Sequence, residues 1–598
     1  MTTIRSGLRA GHYGLFALAA STLIGCSGGG GPATDVAEVL PAPGPAPAPA
    51  PGTYSVGGTA TGLVGSIKLR INSSEEETVA SATVPTGRFS FDTSLPPGTA
   101  YSVAIAALPN KQNCQLTNAA GTVTTANVVS VGVTCATRGW TAGQQVDGDD
   151  EPVATFDAGM DREGRVVAIL VKGNRTTAKL YAVRGSPGAA GTAAQWSAPV
   201  RIDSDQVPYY DPSGFKSNNM TIAVAPNGNA HAVWGGLAPC GAQSYAQSNF
   251  PCAYIHSSVY SAASDTWSPP VRIADTPYVA LGNNSLSYKP IPLINNRGDV
   301  AVQFRWYNQI LPVDTGFSNQ RGALAWRAFD ATTFQVRAFT DILYPQPYAA
   351  VLDNLGGIAI AAQRAQAASS NDDIVYYAGT AAAGFSATQG AVLDTFGNGA
   401  TLRSVVVGPT NDVLLTWDQN DGTGLKIFGA SAASATAAWS VPVPIATRTA
   451  EGVGLVDDAG NALLYASCTG YVRPKATGIW ASKAPAIPSG CGFSEANAVW
   501  TGDGSFLTYG SVGQWNTYYQ PNNAMARESS AALASTDYLL GFAKGWGSAS
   551  KLMYTKKADG NFVGAVLIRH EYDTLPTASA TAGDGRSGVD NLWGFYLK

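Results

Sequence analysis

A β-rich run, a tight turn centred on Gly or Asn and a second β-rich run recur eight times between about residue 155 and the C-terminus. Copies include MTIAVAPNGNAHAVW, KPIPLINNRGDVAVQF and GVGLVDDAGNALLYA. The turns fall at Gly164, Gly228, Gly298, Gly356, Asn411, Gly460, Gly504 and Gly560, with 44 to 70 residues between successive turns. A unit of several short strands cannot bury its apolar faces alone. Repeated at this period, such units pack radially as a β-propeller. Eight turn motifs over residues 138–598 predict eight blades; seven result if the sixth or seventh unit supplies only a hairpin to a neighbour.

Three units carry one further segment: Trp196-Ser-Ala-Pro-Val-Arg-Ile202, Trp267-Ser-Pro-Pro-Val-Arg-Ile273 and Trp439-Ser-Val-Pro-Val-Pro-Ile445. Trp six residues before Ile predicts both side chains on one face of a strand. Proline has no N–H for a ladder, so the segment belongs on the exposed edge, the fourth strand of a blade. Trp140-Thr-Ala-Gly-Gln-Gln-Val146 has the same spacing ahead of the first unit, whereas the last unit ends at Asn591–Leu597 with no fourth strand. The N-terminal segment is therefore expected to supply that strand and close the ring.

Residues 1–25 read as a secretion leader: Arg5 and Arg9, then an apolar run from Tyr13 to Ile24. Leu23-Ile24-Gly25-Cys26 resembles a bacterial lipobox. That resemblance implies cleavage before Cys26, lipid on Cys26 and delivery to the bacterial outer membrane, with the membrane as a partner through the acyl chains. Residues 26–52 form a Gly- and Pro-rich tether, whose Pro41–Pro51 stretch spans about 30 Å if extended. Beyond Cys26 there are six cysteines, matching three disulfides in an oxidising compartment. Fifteen pairings are open; neighbour pairing within units gives Cys114–Cys135, Cys240–Cys252 and Cys468–Cys491.

Residues 53–137 alternate apolar and polar side chains in short strands, as in Gly65-Ser-Ile-Lys-Leu-Arg-Ile71 and Tyr101-Ser-Val-Ala-Ile105, which predicts a small β-sandwich. VGGTATGLVGS and GRFSFDTSLPPGTAYSV resemble an immunoglobulin-like or transthyretin-like repeat of bacterial surface proteins. The resemblance implies a spacer or adhesion module. The fold class is thus all-β, a sandwich followed by a propeller. A net charge of −4 gives no electrostatic case for nucleic acid. The sequence sets no oligomeric state.

The connections from second to third strands are expected to be long, over 235–252, 305–321, 364–373, 468–477, 511–537 and 569–590, and to emerge at one end of the ring. Long connections on one face of a repeat scaffold commonly carry binding. Candidate ligand contacts there are Arg305, Trp306, Tyr307, Trp417, Asp418, Arg473, Trp515, Tyr518, Arg569, His570, Glu571 and Asp573. Aromatic rings stack on sugars or bury peptide side chains, and arginine forks hold carboxylates. The repeats resemble the sialidase-like propeller superfamily, but the Asp boxes S-x-D-x-G-x-x-W and the R-I-P motif are missing, so no catalytic residue carries over. Glu571 and Asp573 are the best-placed carboxylates for a glycosidase. No cofactor or metal is expected, although the acidic runs Asp147-Gly-Asp149-Asp150-Glu151 and Asp418–Gly422 offer oxygen ligands suited to structural Ca²⁺. Two readings remain. The first is a lipid-anchored propeller that binds an extracellular glycan or protein; the second is a lipid-anchored glycosidase-type hydrolase.

Overall fold

A computed structural model gives the architecture. It describes residues 52–598 except 73, 81–86, 110–111, 150, 174–177, 189–191, 206–219, 239–251, 274–289, 308–319, 344–346, 366–371, 388–389, 395–398, 449–451, 458, 467–468, 484–496, 501–505, 513–522, 530–534, 541–549 and 573–585. Residues 1–51, on which the expected leader, the lipid site Cys26 and most of the expected tether fall, lie outside the described residues, as do Cys240, Cys468 and Cys491 and the side chain of Cys252. Residues 52–598 form one unit.

Two four-stranded sheets make the sandwich. One runs Arg88–Leu95, Tyr54–Thr61, Val128–Thr137, Gln112–Thr117; the other runs Glu75–Ala80, Ser66–Ile71, Ala100–Ala107, Ala120–Thr122. Strict alternation over Ser66–Ile71 sends Ile67, Leu69 and Ile71 inward, onto a core with Val56, Phe91 and Val131. Cys114 and Cys135 sit opposite each other on paired strands and form a disulfide, the expected pair.

Among the described residues, eight further sheets succeed one another in chain order, termed the first to the eighth. The innermost strand of each lies against that of the next, and the eighth against the first, so the sheets form a ring. This arrangement explains the apolar second strands. Val166–Lys172 is buried throughout: Val166, Ala168 and Leu170 face the eighth sheet, while Val167, Ile169 and Val171 face the second. A strand with sheets on both faces carries no polar alternation.

The eighth sheet takes its fourth strand from the segment that precedes the first sheet. Gln144 and Gln145 pair with Gly594 and Trp593, and Trp140 bridges Leu597. Thr141 N donates to Tyr596 O (2.7 Å) and Val146 N to Leu592 O (2.8 Å). The segment is also held by the side chains of Asp147, which accepts from Leu592 N (3.0 Å), and Thr141, which accepts from Tyr596 N (3.0 Å).

The Trp-Ser-x-Pro segment departs from expectation. It is two short strands, Gln195–Trp196 and Val200–Arg201, both paired with Lys179–Ser186. Trp196 opposes Gly185 and Arg201 opposes Tyr181, so five steps on one strand face four on the other. One extra residue reverses the face. Trp196 therefore packs toward the eighth sheet beside Tyr596, whereas Ile202 packs toward the second. The second sheet repeats this, with Trp267 facing the first sheet and Ile273 the third. Serine spans the break: Ser197 N donates to Arg184 O, and Ser197 Oγ accepts from Arg184 N (2.9 Å). Ser268 and Ser440 make the same reciprocal pair with Val259 and Ser431.

An inner strand ends its sheet, so its outward amides and carbonyls need partners. Neighbouring sheets provide them with side chains. Asp157 Oδ2 accepts from Ile222 N (3.2 Å). Gln303 accepts from Ala350 N (2.9 Å) and donates to Tyr348 O (2.7 Å). Arg569 donates to Ala154 O. His231 Nδ1 lies 3.1 Å from Leu293 O, which can only accept, leaving Nε2 to take the Ser257 hydroxyl (3.1 Å).

The hairpin turns form a second circumferential chain. Each described turn is closed by the amide of its fourth residue donating back to its first, as in Gly228 to Ala225 and Asn411 to Gly408. The fourth residue sits at positive φ (93° at Gly228, 73° at Asn411), a region open to Gly and tolerated by Asn. Turns then bond to turns: Arg162 N to Pro226 O, Asn227 N to Asn296 Oδ1, Asn296 N to Asn354 Oδ1 and Asn354 N to Asn411 Oδ1 (2.8–3.1 Å).

Candidate functional site

The candidate contacts fall into three groups. Trp515, Tyr518 and Asp573, and the side chains of Trp306, Tyr307, His570 and Glu571, lie outside the described residues. Of the others, Trp417 is core: it is fully buried, stacks on Phe428 and donates through Nε1 to Gln419 (3.1 Å). This corrects its assignment to a ligand groove. It belongs to the second strand Val413–Asn420, and those strands are enclosed on both faces. Asp418 is 4% exposed and pairs with Arg403 and Arg448 Nε (3.0 Å), so its charge is balanced within the fold. Arg305 is 6% exposed and lies over the Tyr348 ring at 4.8 Å. Arg569 holds the inner edge of the first sheet through Ala154 O.

Arg473 is at the hairpin-turn end. Thr469–Arg473 is a strand, Ala466 pairs with Thr469, and Arg473 pairs with Ala462 beside the hairpin turn. Its Nε donates to Gly478 O (2.9 Å) and its Nη1 to Ser431 Oγ (2.6 Å). Half of the expected long connection over 468–477 is thus strand, because Thr-Gly-Tyr-Val-Arg fits the pleat opposite Ala-Leu-Leu-Tyr-Ala. The stretch 511–537 likewise contains a strand, Asn523–Ser529.

At the acidic run 147–151 the positive charge comes from the chain itself. Lys172, 2% exposed, donates to Asp147 O (3.1 Å) and pairs with Asp149. Burial pushes the Asp147 carboxyl up from the usual carboxylate range. In the second run, Asp421 Oδ1 accepts from Thr423 N (2.8 Å) and Thr423 Oγ1 (2.6 Å).

The hairpin-turn end carries what the sequence did not single out. There the sandwich docks on the ring. Asn113 Nδ2 donates to Phe562 O (2.8 Å) while its Oδ1 accepts from Phe562 N (3.1 Å), and Cys114 N donates to Asn561 Oδ1 (2.8 Å). Arg138 lies over the Phe562 ring at 5.5 Å. Beside this clasp is a cavity of about 540 Å³. Its apolar walls come from Met160, Val224, Leu455, Leu463 and Tyr554 of the inner part of the ring and Ile105 of the sandwich. Arg70, Arg162 and Lys556 bring positive charge to it from three separate elements.

Asp161 and Asp457 are also in the lining, but their oxygens are committed. Asp161 accepts from Glu163 N and Arg165 N (both 2.8 Å) and from Arg165 Nε (2.6 Å). Burial nevertheless holds its carboxyl above the usual range. Asp457 accepts from Ala459 N (2.9 Å), Asn461 N (2.8 Å) and Asn461 Nδ2 (2.8 Å). These carboxylates build turns and are poorly placed as a catalytic pair. A second cleft of about 410 Å³ runs between the first and second sheets. Its charges are mutually satisfied: Arg184 pairs with Asp265 and donates to the Tyr260 hydroxyl (3.0 Å).

No protein-family model and no curated protein matches the chain. Solved structures it is similar to include a prolyl endopeptidase (11% identity, 73% of this chain and 55% of that one, TM-score 0.34). Others are a polysaccharide lyase (9%, 77% and 92%, 0.34) and an α-L-arabinofuranosidase of Fusarium graminearum (9%, 77% and 98%, 0.31). The chain spans about half the length of the endopeptidase. The likeness is one of architecture and assigns no substrate.

Proposed function

We propose that this chain is a lipid-anchored binding protein outside the cytoplasm, whose propeller recognises a glycan or a protein. The observation that supports binding over hydrolysis is the cavity at the hairpin-turn end. It joins apolar walls to cationic side chains, at a junction between two domains where ligand sites are common. Its two carboxylates are spent on turn amides. Cys26 is the expected lipid site, which makes the membrane a partner. Glycan-array and protein-array binding, run beside a broad glycosidase screen, tests this: saturable binding without turnover is expected. Turnover that disappears in Glu571→Gln and Asp573→Asn would establish the hydrolase instead.

A further inference from the structure

Two paired strands of the sandwich hold the eighth sheet at two different places. Gln112–Thr117 holds its hairpin turn, where Asn113 exchanges hydrogen bonds with the Phe562 backbone and Cys114 N donates to Asn561. Val128–Thr137 holds its outer edge, because the chain runs on from that strand straight into the closing segment. Cys135 is followed by Ala136, Thr137, Arg138, Gly139 and Trp140. Gly139 N donates to Lys598 O (3.1 Å), Lys598 N donates to Gly139 O (3.3 Å), and Trp140 bridges Leu597. Arg138 links the two grips. Its Nη1 donates to Gln112 O and to Asn113 Oδ1 (3.1 Å), and its guanidinium lies over the Phe562 ring.

The Cys114–Cys135 bond crosses the two strands at this point. A strand pair held by ladder hydrogen bonds alone can fray, and a covalent cross-link removes that freedom. Here the tied strands are the roots of both grips, so fraying between them would loosen the turn and the outer edge together. Both cysteines are buried in the sandwich core, at 1% and 6% exposed. Thiol exchange therefore waits on opening of the strand pair, and the bond answers sustained reduction.

We propose that Cys114–Cys135 is a redox-sensitive lock on ring closure. With the bond intact, the two strands act as one clamp across the eighth sheet. A dithiol breaks the S–S bond, leaves two cysteine thiols and is itself oxidised to a disulfide. The clamp then divides, and the closing segment loses its root. The inference stands apart from the ligand reading above.

The test follows hydrogen exchange in the full chain before and after dithiothreitol, with alkylation of Cys114 and Cys135 reporting their reduction. Peptides covering 140–147 and 592–597 are expected to exchange about tenfold or more faster once the pair is reduced. Dithiothreitol also reaches other cysteines, so the double variant Cys114→Ala, Cys135→Ala is measured without it and should show the same acceleration. Faster exchange confined to sandwich strands such as Ser66–Ile71, with 592–597 unchanged, overturns the inference. So does a Cys114–Cys135 bond that survives the dithiol in the folded chain. If the cysteine variant does not fold, the double variant Asn113→Ala, Asn561→Ala decides. Its clasp on the turn is already broken, so reduction should add little at 592–597, whereas an undiminished response to the dithiol overturns the inference.

Discussion

At one end of the ring the connections are short and repeat one chemistry; at the other they are long and share little. The hairpin-turn end closes each described turn with the same backbone bond and links Asn227, Asn296, Asn354 and Asn411 from sheet to sheet. It also receives the sandwich, through Asn113 and Asn561. At the long-connection end, the described polar groups Asp418 and Arg569 are occupied with the fold itself. The contrast separates two jobs. Regular turns bond sheet to sheet, and one of them, at Asn561, takes the sandwich. The inner edges of the sheets are satisfied by strand side chains, among them Asp157, Gln303 and His231.

The closing segment joins the eighth sheet to the chain ahead of the first, so its removal is the most severe test. Deleting residues 138–147 should cost roughly 5 kcal/mol, at about 1 kcal/mol for each net hydrogen bond lost. Calorimetry should show the whole ring melting earlier; an unchanged transition would mean that the two ends are stabilised independently. Next in size is Trp417→Ala at the long-connection end, expected to cost about 3–5 kcal/mol in denaturant unfolding. A stable variant that has lost only ligand binding would return Trp417 to the groove.

A pH series sharpens the comparison midway along the ring. Burial lowers the His231 imidazole to about 3 and, with Arg272 nearby, the His256 imidazole to about 4. The folded values lie below the ordinary one, so the unfolded chain takes up protons first as pH falls. Their contribution is complete above about pH 6.5 and declines toward the folded values, at up to about 1.4 kcal/mol per pH unit for each group. The difference in unfolding free energy between the native chain and His231→Gln should therefore shrink between pH 6 and pH 4. A pH-independent difference would show that His231 is charged in the fold. The smallest effect is Asn354→Ala, which should cost about 1 kcal/mol by removing one turn-to-turn acceptor. If it is neutral, the chain of turns merely accompanies the packing.

Most of the scaffold could be read from the residues. The turn motifs, the apolar second strands and the orphan Trp140 segment all derive from backbone hydrogen-bond demands, which recur wherever a strand lacks a neighbour. The side-chain assignments were less legible. Trp196 and Ile202 face opposite ways because a bulge at Ser197 and Pro199 adds one residue, which spacing alone does not reveal. Trp417 and Asp418 look like ligand contacts in a list of aromatic and charged residues, yet enclosure by two neighbouring sheets makes them core. Arg70, Arg162 and Lys556 carry no shared motif, and only the docking of the sandwich brings Arg70 to the cavity that Arg162 and Lys556 line.

Closure by the N-terminal segment also has a temporal consequence. Gln145 pairs with Trp593, 448 positions later (593 − 145). At synthesis rates of roughly 5–20 residues per second, the first partner waits about 20–90 s for the second to emerge. During that interval the growing array has two raw edges, and a binding partner that covers either one would protect the nascent protein from self-association.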